Sequence, residues 1–467
     1  MPRPLMIANA SGFWGDQPDA AARLVAARPD LDYLTFDYLA EVSLSIMAAV
    51  RAKDPDAGYA RDFIETLRSL VTFYQGGGKT RIVTNAGGLD PLACARAGRD
   101  VLAAAGLNRL RIAVVTGDNV LPLLRADHPA KCNPIGYTSS GPEGTNLDTG
   151  EPVDRVAARL VTANAYLGAA PIAAALRAGA DIVITGRTAD PSLTVGPCLA
   201  HFGWAEDAWD QIAGATVAGH LIECGTQVCG GFSTDWLELP DHHDIGCPIV
   251  EVAADGSCVV TKPAGTGGAV TVPTVKEQLL YEIGDPGNYL SPDVTVSFLK
   301  LAVTADGENR VRVAGATGRA PTDSYKVSAT YRDGYKAHGL LTIYGHDAVK
   351  KARAAGEGLL RRLQARGCVF RETLVECLGT GDSVKGLGRR TKEADLIETI
   401  LRVSVAADRK EPVERFTREI APLVTCGPQG VTGYATGRPK VLPVFAYWPC
   451  LIPKARVAPQ WQLLDSP

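Results

Sequence analysis

Five times in the first half of the chain a short apolar run ends in a small or polar cluster. Leu5 to Ala8 opens into Asn9, Ser11, Gly12 and Asp16, and Tyr33 to Phe36 into Asp37 and Glu41. Arg81 to Thr84 leads to Asn85, Gly87 and Gly88, Ile112 to Thr116 to Gly117 and Asp118, and Ile182 to Thr185 to Gly186, Arg187 and Asp190. Such runs bounded by Gly, Asn and Asp read as buried strands. Helical spacing fills the intervals at 60–74, at 91–105 beginning near Asp90, and at 171–176 with Gly179 as the stop. The alternation predicts an α/β fold whose N-terminal part is an open, mostly parallel, Rossmann-like sheet with flanking helices. Carboxyl ends of parallel strands share one edge, so side chains distant in sequence converge there on a ligand.

The pattern changes near 241–248. Beyond it, 249–252 and 257–262 read as a hairpin across Ala254-Asp255-Gly256, 275–283 as a short helix, and 294–303 as a strand paired with 310–313 across Asp306-Gly307. Two strand-helix units follow. One runs from 340–344 into 347–367, with Val349, Ala352, Gly356, Leu359, Leu360 and Leu363 at helical spacing. The other runs from 400–405 into 412–424, with Val413, Phe416 and Ile420 on one face. The expected division is therefore an α/β domain over 1–240 and an α+β domain with hairpins, strand-helix units and a C-terminal arm over 241–467. Between the halves of the first domain, 133–154 is rich in Gly, Ser, Thr and Pro and reads as a long binding loop or lid.

Composition narrows the possibilities. At 467 residues and 46% apolar content the chain can build a sizeable core, and a formal charge of -3 offers no basic footprint for nucleic acid or anionic membrane. No stretch has the length of a membrane span or the pattern of an export signal, so the expected location is the cytoplasm. The eleven cysteines stand singly, without a CxxC pair, as expected for reduced thiols.

Candidate chemistry sits at the strand ends. Asn85-Ala86-Gly87-Gly88 can present backbone N–H groups to an anion, or can simply be a tight turn that needs glycine. Arg187 and Asp190 offer a guanidinium for a carboxylate or phosphate beside an acid or base, or else an ion pair that braces the loop. Asp16, Asp37, Glu41 and Asp118 add carboxyl groups that could bind a divalent cation, hold a raised pKa, or cap helices. The densest reactive stretch holds His220, Glu223 and Cys224. In a helix, His220 and Cys224 would share a face, a geometry for thiolate activation or shared metal ligation. His242, His243 and Cys247 follow, but at no common zinc spacing, and no metal site is assigned. Lys262-Pro263-Ala264-Gly265-Thr266-Gly267-Gly268 lacks P-loop spacing, and no GxGxxG follows the first strand, so no nucleotide cofactor is expected. A polar stretch around 284–289, with Glu277, Tyr281, Glu282 and Asp293 nearby, reads as surface or as a loop facing the first domain.

Taken together these stretches resemble the acyclic terpene utilisation (AtuA) family. The resemblance is carried by Ala10-Ser11-Gly12-Phe13-Trp14-Gly15-Asp16, Asp37-Tyr38-Leu39-Ala40-Glu41, Asn85-Ala86-Gly87-Gly88, Gly117-Asp118, Thr185-Gly186-Arg187, Gly219-His220-Leu221-Ile222-Glu223-Cys224-Gly225 and Tyr281-Glu282-Ile283-Gly284-Asp285-Pro286, and extends to Thr432-Gly433-Tyr434 and Gly437-Arg438-Pro439. It implies a catabolic protein encoded among enzymes that degrade branched acyl-CoA compounds. Cys229 departs from the small hydroxyl residue favoured there, so a Cys224 to Cys229 pair is not taken as general to the family. Longer relatives carry a further small C-terminal domain, which makes a separate small subunit an expected partner, alongside self-association into a homo-oligomer.

The expectation is a lyase- or hydratase-type enzyme acting on a small acyl-CoA or carboxylate. Arg187 would hold the carboxylate, Asp190 or Glu223 would move a proton, and the amides of 85–88 would stabilise developing charge. Asn9, Ser11, Asp37, Asn85, Gly87, Gly88 and Asp118 complete the expected binding set. The alternatives are thioester chemistry at Cys224 with His220 as base, and a noncatalytic acyl-CoA-binding or scaffold subunit.

Overall fold

A computed structural model describes residues 3–125, 143–384, 386, 392–433 and 437–464. The chain forms two compact units, one made of residues 1–330 and 447–467 and the other of residues 331–446. The change of pattern at 241–248 falls inside the first unit. There the hairpin strands Ile249–Val252 and Cys258–Thr261 continue the sheet begun by Leu5–Asn9. What changes at that point is the direction of pairing, because Ile249–Val252 runs antiparallel to Leu5–Asn9 and covers an otherwise open edge.

The main sheet has ten strands. Its centre is five parallel strands in the spatial order Leu5–Asn9, Tyr33–Phe36, Arg81–Thr84, Ile182–Thr185, Ile112–Thr116. They are the five apolar runs of the sequence, and their near-continuous burial is what a sheet covered on both faces requires. Antiparallel strands extend both sides. The hairpin and the pair Ala302–Ala305 with Val311–Ala314 lie beyond Leu5–Asn9, and Gln460–Leu463 pairs with Ile112–Thr116.

Local sequence explains the helices that position the strand ends. Asp90 accepts a hydrogen bond from the Ala93 N–H at 3.0 Å and starts helix Pro91–Ala104, with Pro91 in the first turn where its missing N–H costs nothing. The segment at 60–74 divides into Asp62–Ser69 and Val71–Gln75. Helix Trp209–Glu223 is apolar on every side, and residues 212–222 are all buried, the expected fate of such a helix. Its approach to the neighbouring hairpin depends on Gly214, where a Cβ would lie 2.1 Å from the Gly256 carbonyl oxygen.

Two sequence readings are modified. The segment at 294–303 is two short strands, because the chain turns at 298–301. Thr295–Ser297 joins a separate three-stranded sheet with Tyr289–Leu290 and Thr317–Arg319, and only Ala302–Ala305 takes the expected partner. The long polar loop at 133–154 lies outside the described residues up to residue 142, and the rest includes short helical turns at 153–155.

The second unit follows its pattern closely. Strands Glu372–Leu378 and Glu398–Ala407 pair antiparallel, and the faces of helices Ala348–Ala365 and Lys410–Glu419 carrying Val349, Ala352, Leu359, Leu363, Val413 and Phe416 share one core with Leu401, Val403 and Val405. Among the described residues no helix is long and apolar enough to cross a membrane.

Candidate active site

A cavity of about 860 Å³ opens in the first unit, lined in part by Glu41, Tyr166, Asp190, His220, Glu223 and Glu282. Glu41 follows strand Tyr33–Phe36 and Asp190 follows strand Ile182–Thr185, so the strand ends do deliver carboxyl groups to a common hollow. Glu223, the last residue of helix Trp209–Glu223, arrives from a different element.

Asp190 rests on Arg187. The Arg187 side chain is 2% exposed, and its guanidinium donates to the Asp190 carboxylate at 2.5 Å and to the Leu39 carbonyl, with its carbon 4.1 Å from the centre of the Tyr166 ring. The cation therefore lies behind Asp190 and Tyr166 and braces them. A second carboxyl, Asp37, lies near enough for its charge to push Asp190 up further. Asp37 accepts from Asn85 Nδ2 at 2.6 Å and from the Leu39 N–H at 3.2 Å, and Asn85 Oδ1 accepts from the Tyr38 N–H at 2.7 Å. Burial pushes Asp37 up to about 6 against the pull of Arg187, and burial raises Asp190 well above the carboxylate range against the same guanidinium. Two neighbouring carboxyls cannot both ionise cheaply, so the Asp37 charge favours the protonated form of Asp190. About a third of the Asp190 side chain is accessible, whereas Asp37 is buried, which makes Asp190 the half of the pair a substrate can reach.

Glu223 has a separate support. Asn9, the last residue of the first strand, donates through Nδ2 to the carbonyls of Ile222 at 2.7 Å and Glu223 at 2.9 Å, satisfying acceptors that a helix C-terminus leaves open. His220 Nε2 donates to the Gln278 carbonyl at 2.9 Å, which fixes a proton on that nitrogen, and Nδ1 faces Glu223 Oε1 at 3.1 Å. The pair thus holds one further proton, on the carboxyl or on Nδ1. Burial pushes Glu223 up to about 7, opposed by His220. Burial lowers His220, but its hydrogen bond to Glu223 and that carboxylate's charge raise it overall. Glu223 Oε2 is buried with no hydrogen-bond partner among the described residues.

The other expected residues have structural partners. Asp118 accepts from Asn164 at 2.7 Å and from the Arg187 N–H at 2.9 Å, pinning the Arg187 loop, and burial raises its pKa. Ser11 donates to the Phe13 carbonyl at 3.0 Å, and Asp16 accepts from the Gly12 N–H at 2.9 Å, both closing a local turn. In the 85–88 turn the Ala86 N–H meets Thr84 Oγ1 and the Gly88 N–H meets the Asn85 carbonyl. A Cβ on Gly87 would lie 2.5 Å from the Thr185 carbonyl oxygen, and Gly88 has φ +52, so packing and backbone geometry account for these glycines. Neither ring nitrogen of His220 faces Cys224, and burial pushes that thiol up. The ten described cysteines are free. Lys262 donates to the Thr266 carbonyl at 2.6 Å and closes its own loop, and among the described residues no group of His, Cys, Asp or Glu is arranged to hold a metal ion.

Tyr166 and Lys326 also line the cavity, and sequence reasoning passed over both. A signal for Tyr166 was present, since it follows the run 160–165, a sixth strand end in the chain. Lys326 lies early in the strand Ser324–Tyr344 and has no motif around it.

The raised carboxyls have a measurable consequence. The folded protein keeps protons that the unfolded chain has released, so stability is expected to fall as pH rises from about 4.5, the ordinary glutamate value, to about 7, where folded Glu223 ionises. Urea midpoints measured across that window should decline in the parent protein and decline less in Glu223→Gln, which has no proton to lose. Equal slopes would place the Glu223 proton elsewhere.

No curated protein and no solved structure matches the chain significantly. A family profile does: "Acyclic terpene utilisation family protein AtuA" matches residues 5–463. With nearly the whole length matched, the chain belongs to the acyclic terpene utilisation family AtuA, whose description implies a role in the catabolic use of acyclic terpenes.

Proposed function

We propose that the chain is a lyase- or hydratase-type enzyme that adds water to, or removes it from, a small branched acyl thioester or carboxylic acid formed in terpenoid degradation. One observation carries this reading: Asp190 and Glu223, two carboxyls raised by burial and supported separately, line the same cavity. General acid-base catalysis needs one group that gives a proton and another that takes one, both near working pH. In the hydration direction, ionised Glu223 takes a proton from water and the oxygen bonds to the β-carbon of an α,β-unsaturated acyl group. The π pair shifts toward the α-carbon, which receives the proton held by Asp190. Dehydration reverses each step: Asp190 takes the α-proton, and protonated Glu223 gives its proton to the departing hydroxyl. Arg187 and Asp37 tune Asp190, and His220 and Asn9 orient Glu223.

The test is incubation of the purified protein with branched α,β-unsaturated acyl-CoA thioesters in D₂O, followed by mass spectrometry. Gain of water together with one non-exchangeable deuterium on carbon is expected. Tight binding across the panel without any mass change would replace this reading with that of a noncatalytic acyl-CoA-binding subunit.

A further inference from the structure

With Arg187 committed behind Asp190 and Tyr166, the cavity needs another group to hold an anionic part of a ligand. Lys326 is the one Lys or Arg side chain among the described residues lining it. Its ammonium lies 5.3 Å from the centre of the Tyr166 ring and makes no ion pair within 4.0 Å among the described residues, although Glu41, Glu282 and Asp323 line the same cavity. Two further charges nearby are taken. Glu143 is paired with Arg456 at 2.6 Å, and the Lys454 amine donates to the Pro292 carbonyl at 2.8 Å. The Lys326 backbone is fixed, its carbonyl accepting from the Tyr166 N–H at 2.9 Å. The cavity therefore holds Asp190 and Glu223 against the helix and strand ends, further carboxyls at Glu41, Glu282 and Asp323, and one ammonium on an exposed wall.

We infer that Lys326 is a specificity-determining residue: it anchors the anionic group of the substrate and so turns the neutral, reacting end of the acyl chain toward Asp190 and Glu223. Tyr166 forms the shared wall, its ring stacked on Arg187 and beneath the Lys326 ammonium, which keeps the anchor at a fixed place relative to Asp190. The shared ligand chemistry is an oxygen anion, either the carboxylate of a free acid or a phosphate of a CoA carrier. This inference rests on the acid-base reading of the same cavity.

Calorimetric binding to the parent protein and to Lys326→Gln tests it with three probes that share one acyl group: dimethylacryloyl-CoA, the corresponding uncharged pantetheine thioester, and dimethylacrylic acid. The expected result is about five- to tenfold weaker binding of an anionic probe to Lys326→Gln, reduced by added salt, with the pantetheine thioester bound equally by both proteins. A loss confined to the CoA ester assigns a phosphate, and a loss for the free acid assigns a carboxylate. Lys326→Arg should restore most of the affinity. In turnover, kcat/KM should fall, with KM raised. Unchanged affinity for all three probes, or an equal loss for the uncharged thioester, would overturn the assignment. Because binding is read directly, absence of turnover in the parent protein would count against the acid-base reading alone.

Discussion

Glu223→Gln is expected to lower kcat for thioester hydration by about a hundred- to ten-thousandfold, the usual contribution of a positioned acid or base, while leaving ligand affinity within a few fold of the parent value. The amide keeps the shape of the carboxyl and a partner for His220 Nδ1, so the C-terminus of helix Trp209–Glu223 should stay tied to Asn9. What it loses is the ability to accept a proton from water. The parent protein should lose activity on the acid side with an apparent pKa near 7, reflecting Glu223, and the residual activity of the variant should lack that limb. Steady-state rates across pH, with affinity measured in parallel, check both statements. Full activity in Glu223→Gln would remove the proposed base.

The second large effect concerns stability. Arg187→Met should destabilise the first unit by about 3–5 kcal/mol near neutral pH, because removing one partner of a buried ion pair leaves the other uncompensated. The abandoned partner is the carboxyl charge of Asp190 and of nearby Asp37, which sits beside a buried, hydrogen-bonded guanidinium in the parent protein. Protonation removes that charge, so the penalty should shrink as pH falls toward about 6, the value to which burial raises Asp37 in the parent protein. Urea denaturation of both proteins at neutral and acid pH measures this directly. A deficit of equal size at both pH values would assign the loss to packing against Tyr166 and the Leu39 carbonyl.

Much of the fold was legible because the relevant signals are local. A buried parallel strand must be apolar along its length, so 81–84 and 182–185 declare themselves, and Asp90-Pro91 marks a helix start by capping chemistry alone. Ownership of the hairpin at 249–261 was less visible, because a composition change looks the same whether the chain enters a new domain or extends an old sheet antiparallel. The site shows the same split. Asp190 and Glu223 stood out by residue type, but depth decides their roles, and depth is a property of the assembled sheet. Arg187 illustrates the difference: the sequence offers a cation at a strand end, and only packing against Tyr166 turns it from a ligand anchor into a brace. Lys326 carries the opposite lesson, an unremarkable surface lysine until the wall it stands on is known.

The antiparallel strand Gln460–Leu463 lies against Ile112–Thr116, the strand that leads to Asp118, and residues 451–453 line the cavity. Protein synthesis reaches residues 460–463 about 350 residues after it has made the strand they pair with. On the ribosome, then, the first half of the chain can assemble its parallel core but must hold an unsealed border until residues 460–463 emerge, so the cavity is completed only after nearly the whole chain has been translated.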